Sequence, residues 1–360
     1  MPIPPADAEI LRQVLALPTS PFHEAHVARF VEAFARERDL PCKRDRFGNL
    51  YVSYHHGQPR SQPIVLEAHM DHPGFHVESV KDGRARLAFL GKGPSIDLTG
   101  EPLLVYNDTN PTEARSATIV SCTQADGFYR PLFAEAEVDP GVQVGDFATF
   151  DLTTWQLRNH RLHARAHDDL AQVAATLCTL DRLARQRDEA HVIGLFTRAE
   201  EVGFIGAYGA TEDDHLPENA VIICLECSGM PRSRGFVVRS GDLTTTYNHW
   251  ATTRLLQLAD AEAKQRDDFL FQTPLPRRGT CNASLYVARN RIATGLTLPL
   301  ENYHNWGPDR VRAEVIDARD WASLVHFLHV IGTQFGPYEN IQHAVQQHMD
   351  RLWQSERGNL

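Results

Sequence analysis

Four stretches of this chain, "PIVLEAHMD", "HVIGLFT", "AVIICLE" and "IATGLTLPL", are apolar along most of their length, with no alternation of apolar and polar residues. A strand with one face in water alternates; one buried on both faces does not. Helical periods lie between them. "DDLAQVAATLCTLDRLARQ" places Leu170, Val173, Ala174, Leu177 and Leu180 on one face, and "VGFIGAYGA", "HWATTRLLQLADAEAKQ" and "NASLYVARN" read as further helices. Residues 6–38 read as two amphipathic helices broken at Ser20-Pro21, and "CKRDRFGNLYVSY" as an edge strand pair turning at Phe47-Gly48-Asn49. "DDFLFQTPL" reads as a strand and "VIDARDWASLVHFLHVIGTQF" as the final helix. Strands apolar throughout that alternate with helices give an α/β fold, a mostly parallel sheet sandwiched by helices.

Between Gly74 and about Arg161 the texture changes. "FHVESVKDGRARLAFLG" alternates and turns at Asp82-Gly83, and "EPLLVYND", "SATIVSCTQ" and "GVQVGDFATFDL" read as further short strands. Helical periodicity is almost absent, so residues 74–161 read as a small β-barrel-like domain. It is inserted into an α/β domain formed by residues 1–73 and 162–360.

The 360 residues carry a net charge of −10 and no Lys/Arg cluster that would track a phosphate backbone, which argues against nucleic acid as a partner. The opening "MPIPPADAEILRQVLALPTS" has no basic lead and is interrupted by Arg12, unlike a signal peptide. No stretch approaches the roughly 20 apolar residues of a membrane span. Six cysteines in a chain of this length do not make a disulfide framework, and "CLEC" reads as buried thiols at a strand end in a reducing cytoplasm.

In open α/β sheets ligands bind beyond the carboxyl ends of the strands. That edge collects His69 and Asp71, then Glu200 and Glu201, then Glu226, then His304, while Asp168 and Asp169 open the helix leading back to the sheet. Each has an ordinary reading by itself. Asp168-Asp169 could cap a helix, Glu200-Glu201 could favour the positive end of the next one, and the histidines could be two loop residues among eighteen. Their shared edge favours a common purpose. Mixed imidazole and carboxylate ligands suit zinc, cobalt or manganese better than calcium or magnesium. Five such ligands suit two ions, with one carboxylate as bridge and one glutamate of the adjacent pair left for proton transfer.

The motifs "EAHMDHPGF", "ARAHDDLAQVAA", "FTRAEEVGFIGA", "VQVGDFATFD" and "ENYHN" resemble, in order and spacing, the tetrahedral aminopeptidase family, which includes the glutamyl aminopeptidases. The resemblance covers nearly the whole chain, inserted domain included. It implies a zinc-peptidase-like fold and a cytoplasmic di-metal exopeptidase that removes N-terminal residues from peptides with a free N-terminus. It also implies a homo-oligomer, a multiple of two up to a dodecamer. Two divalent metal ions per chain follow from it, zinc first, with cobalt or manganese as alternatives. His69 and Glu226 would bind one ion, Glu201 and His304 the other, and Asp168 both. Glu200 would be the general base, Asp71 would hydrogen-bond His69, and the Asp168–Asp169 peptide would be cis.

The sequence departs from the family pattern in places. Glu226 and Asn282 stand where Asp is usual, and His72 and His167 where other residues are common. An aminoacylase or carboxypeptidase-like enzyme on the same centre, or an inactive peptide-binding relative, are the rival readings. A glycosidase would need two carboxylates roughly 5–10 Å apart across the bond, which adjacent Glu200 and Glu201 do not supply.

Overall fold

In the computed structural model, residues 1–58, 62–93, 96–124, 132–229, 234–273, 279–336 and 338–359 are described. The fold is mixed α/β with a closed six-stranded barrel. Its main sheet has eight strands, in the order Cys42–Arg44, Leu50–His56, Ala190–Thr197, Ile64–His69, Val221–Gly229, Ile292–Leu300, Phe236–Arg239 and Phe271–Gln272. The third to sixth of these run parallel, and they are the four apolar stretches of the sequence. The strands flanking them, Leu50–His56 and Phe236–Arg239, run antiparallel. The run of four parallel strands therefore lies at the centre, where both faces are covered, and one short parallel pair, Phe236–Arg239 with Phe271–Gln272, closes the far edge.

Alternate residues of the central strands enter two different cores. Ile64, Leu66 and Ala68 join Val192 and Phe196 in a cluster with the helices Pro5–Leu15, Ala25–Glu37, Leu170–Gln186, His249–Gln265 and Ala318–Gln334. Val65, Ile193, Leu195 and Ile222 join Ala207, Ala210, Ala283 and Tyr286, from the helices Ile205–Thr211 and Asn282–Ala288. Cys224 and Cys227 fall on opposite faces of their strand, one in each cluster, and both thiols are free.

The barrel closes in the order Gly74–Lys81, Arg84–Leu90, Leu132–Val138, Arg115–Gln124, Pro102–Tyr106 and Phe147–Phe150. Lys81 pairs with Arg84 across Asp82 and Gly83, both at positive φ, as the Asp-Gly signal predicts. Its interior is filled by Phe75, Val77, Leu87, Phe89, Leu103, Ile119, Ala134 and Phe150. Polar contacts moor it to the segment ahead of and within the second helix. His23 Nε2 lies 3.0 Å from His76 Nδ1, His26 Nε2 2.7 Å from the Asn107 carbonyl oxygen, and Arg29 donates to the Asp108 carbonyl at 2.7 Å. At the junction, a Cβ on Gly74 would come within 2.8 Å of Ser20 Oγ and 2.9 Å of the Ala148 carbonyl oxygen, so only glycine fits.

The structure departs from the sequence reading at the ends of elements. "VIDARDWASLVHFLHVIGTQF" is not one helix: Glu314–Asp317 is a strand paired antiparallel with Arg161–Ala164, and the helix begins at Ala318. Asp317 is the cap that separates them, its carboxylate accepting the Arg319 N–H at 2.9 Å. The hairpin Gln156–Ala164 thus pairs with Glu314–Asp317 and not with the barrel. "DDFLFQTPL" yields a strand only at Phe271–Gln272, and its last two residues lie outside the described ones. Phe236–Arg239 and the helix Tyr338–Glu356 have no counterpart in the sequence reading; the first is four residues long, and the second carries an apolar period at Ile341, Ala344, Val345, Met349, Leu352 and Trp353 that the reading passes over. Among the described residues no helix is long and apolar enough to cross a membrane.

Candidate metal centre

The strand Ala190–Thr197 ends in the turn that carries Glu200 and Glu201. Ala199 sits at φ 51° and Phe204 at φ 63°, and the helix starts only at Ile205. No side chain caps that helix, so the glutamate pair is not a helix-start device. Gly206 lets the helix close onto its own turn: a Cβ there would lie 2.3 Å from the Arg198 carbonyl oxygen. Two buried carboxylates hold the turn by its backbone. Glu24 Oε1 accepts the Ala199 N–H at 3.0 Å, and Asp71 accepts the N–H groups of Glu200 (3.0 Å) and Glu201 (3.1 Å).

Asp168 and Asp169 are joined by a cis peptide and precede the helix Leu170–Gln186. Asp169 stands at the cap position without a side-chain cap bond; its carboxylate instead accepts the His69 N–H at 3.3 Å. The capping alternative for this pair is therefore not what the side chains do.

The side chains meet at the carboxyl edge of the parallel strands. His69 Nε2 lies 3.3 Å from Asp168 Oδ1, and His304 Nε2 lies 3.8 Å from Asp168 Oδ2 and 3.1 Å from Glu201 Oε2. The two oxygens of Asp168 thus face two different histidines. His69, Asp168, Asp169 and Glu226 offer donor atoms all within 4.8 Å of one another, as do Asp168, Glu201 and His304. Glu200 reaches the same space, its Oε2 4.0 Å from His69 Nε2. His69 Nδ1 is nearer the backbone carbonyl of Asp71 (3.1 Å) than its carboxylate (3.5 Å). Asp71 therefore holds the ring mainly through its main chain and the Glu200–Glu201 turn through its side chain.

Burial dominates the electrostatics. It pushes the carboxyls of Glu200, Glu226 and Asp169 well above the usual carboxylate range, with neighbouring carboxylates adding to the shift. The imidazoles of His69 and His304 are held above their ordinary value: burial opposes their charge, but contacts with Asp168 and Asp71 at one and with Glu201 at the other outweigh it. So many buried carboxyls must be neutralised, by protons or by cations. The donors fit cations, because His69 Nε2, His304 Nε2, Asp168 Oδ1 and Glu201 Oε1 are buried and have no hydrogen-bond partner.

Sequence reasoning missed the carboxylates that hold these loops. Glu24 is one. Glu314 is another, accepting backbone N–H groups on both sides of the centre. Neither stands in a motif with metal-ligand spacing: Glu314 bonds main-chain N–H groups, and Glu24 adds to its main-chain bonds one from the Arg198 guanidinium at 2.7 Å. The loop at "ENYHN" did leave a signal, since Asn302 and Asn305 adopt the left-handed conformation that Asn tolerates, with His304 between them at φ 55°. Of the departures, Asn282 donates to the buried Glu67 carboxylate at 2.7 Å, a bond no aspartate would make. His72 bridges the Asp168 carbonyl and Asn305 Oδ1 and is pushed down to about 4 by burial. His167 is pushed down to about 3 for the same reason.

The family model described as M42 glutamyl aminopeptidase matches residues 133–325. The chain is similar to YhfE of Bacillus subtilis, described as a candidate aminopeptidase: 22% identity over 220 residues, 55% of this chain and 63% of that protein. It spans less than two thirds of the length of the curated relatives it matches. Among solved structures, the TET aminopeptidase of a marine sediment archaeon of the Thaumarchaeota superposes with TM-score 0.77 at 17% identity, covering 93% of this chain and 99% of that one. The TET1 peptidase of Pyrococcus horikoshii, described as assembling into a tetrahedron or a large octahedral shell, gives TM-score 0.73 at 20% identity over 91% of this chain and 99% of the other. These structural likenesses concern the fold.

Proposed function

The chain belongs to the M42 glutamyl aminopeptidase family, and from that membership we propose that it is a metal-dependent aminopeptidase acting on peptides with a free N-terminus. One observation carries the reading. Buried ring nitrogens of His69 and His304 and carboxylate oxygens of Asp168 and Glu201 converge without hydrogen-bond partners of their own. A structural polar cluster satisfies itself; this one leaves open the atoms that ligate cations.

His69, Asp168 and Glu226 would hold one divalent ion, and Asp168, Glu201 and His304 the second, with zinc first and cobalt or manganese as alternatives. When bound, such ions polarise the scissile carbonyl and acidify water. Glu200, close to both sets yet outside the five ligands, would take the proton of the attacking water and deliver it to the leaving amine. Asp71 acts on that chemistry through others, by fixing the His69 ring and the backbone of the Glu200–Glu201 turn. In this reading residues 1–73 and 162–360 are the zinc-peptidase-like catalytic domain, and residues 74–161 shape substrate access and assembly. A homo-oligomer, up to a dodecamer, is supported by the assembly described for the Pyrococcus horikoshii protein. A cytoplasmic location is supported by six free thiols.

The test is a panel of aminoacyl amides and short peptides, with free and acetylated N-termini, assayed in Zn²⁺, Co²⁺ and Mn²⁺. Turnover confined to free amines and abolished by chelation is expected. Efficient cleavage of the acetylated series would replace the aminopeptidase reading with an acylase or endopeptidase.

A further inference from the structure

Glu314 stands at the start of its strand with no exposure, and its carboxylate lies between the loops that carry Asp168 and His304. Oε2 accepts the backbone N–H groups of His167 (2.7 Å) and Asp168 (3.0 Å), while Oε1 accepts the N–H of His304 (2.9 Å). One side chain thus ties the residue that faces both histidines to one of those histidines. The tie bears on a conformation that does not hold itself. His304 is a non-glycine residue at φ 55°, a conformation that persists only where the surroundings impose it.

We propose that Glu314 is a positioning residue that fixes the separation of Asp168 and His304 and thereby sets the affinity of one metal site, Asp168–Glu201–His304, largely apart from the other. The proposal rests on the di-metal reading above. Its selectivity follows from the arrangement of donors. In Glu314→Gln the amide oxygen stays with the two N–H groups of His167 and Asp168. The amide NH₂ is then turned toward the N–H of His304, donor against donor. The His304 loop is the one released, and the set His69–Asp168–Glu226 does not include it.

The experiment is calorimetric titration of the metal-free full-length protein with Zn²⁺ and with Co²⁺, for the native chain, Glu314→Gln and His304→Ala. Two binding steps are expected for the native protein. In Glu314→Gln one step should weaken by about 10–100-fold, the usual effect of removing a group that orients a ligand, with the other changed by less than roughly threefold. The weakened step should be the one His304→Ala abolishes, and kcat should recover in excess metal. Equal weakening of both steps, or no weakening of either, overturns the proposal. Should Glu314→Gln not fold, Glu314→Asp is read by the same split, since its carboxylate is one methylene too short to reach both loops. A native protein that takes up only one ion sinks the di-metal reading and this proposal with it. Two ions in the native protein but no split in the variants sinks the proposal alone.

Discussion

The barrel and the carboxyl edge of the parallel sheet are built on opposite terms. Among the described residues of 74–150, only Glu101, Asp146 and Thr149 are buried and polar, and the interior is apolar side chains in mutual contact. At the sheet edge, His69, Asp71, Asp168, Asp169, Glu200, Glu226, His304 and Glu314 are all buried within one site. Apolar burial stabilises with little regard to pH or bound ions. Clustered carboxylates stabilise only if protons or cations accompany them, because each must otherwise be desolvated beside like charges. One region is a self-sufficient core, and the other is conditional on what it binds.

The sharpest way to separate the two is chemical. Glu200→Gln keeps shape and most hydrogen bonding but cannot accept a proton. It should retain both metals and its melting temperature while kcat falls by about 10²–10⁴, the scale of general acid–base catalysis. Metal loss in Glu200→Gln, with metal kept in Glu201→Gln, would reverse the two roles. The converse experiment is in the barrel. Leu87, fully buried, should cost about 2–5 kcal/mol when changed to Ala, read by denaturant titration. Metal affinity should not move, and a large change in it would show the barrel core and the site to be one cooperative unit.

A smaller effect is expected where the polar edge meets the apolar sheet. Asn282→Asp replaces a donor to Glu67 with a second carboxylate in a buried position, which should destabilise by about 1–3 kcal/mol near neutral pH. The loss should shrink as the pH is lowered; unchanged stability would mean that the pair shares a proton. The smallest effect tests the conditional character directly. The carboxyls of Glu200, Glu226 and Asp169 titrate higher in the folded chain than their unfolded values near 4. The folded state therefore holds more protons in that window, and stability is lost as pH rises through the raised values. The raised imidazoles of His69 and His304 act in the same direction. Metal-free protein should melt a few degrees lower at about pH 8 than at about pH 6, a gap that Zn²⁺ closes; a metal-independent profile would refute it.

The same contrast explains what the sequence disclosed. The central strands and the barrel hairpin were legible because apolar runs and the Asp-Gly turn are local patterns. The site was legible as far as its residues lie at strand ends, which brought His69, Glu200, Glu201 and Glu226 to one edge before any coordinates. The strand Glu314–Asp317 was hidden because Val315 and Ile316 are its only apolar residues, too short a run to show a strand period before the helix begins. Glu24 and Glu314 were hidden for another reason. Glu314 accepts main-chain N–H groups, as does Glu24 beside its bond from Arg198, and a main-chain N–H carries no residue identity to search for. The antiparallel flanks of the sheet depend on which edges the neighbouring strands find, a property of the assembled sheet.

Asp71 and Gly74 are three residues apart, and between them the chain passes from the turn that holds Glu200 to the first strand of the barrel. The barrel is in effect a long arm on a very short axle. A tilt of the arm about this joint would be transmitted to the Asp71 carboxylate and through it to the backbone of Glu200, the proposed base. The close fit at Gly74 and the contacts of His23, His26 and Arg29 beside it brace that joint. In the proposed reading, where residues 74–161 shape substrate access, the barrel's loops can lengthen or change charge without turning the axle.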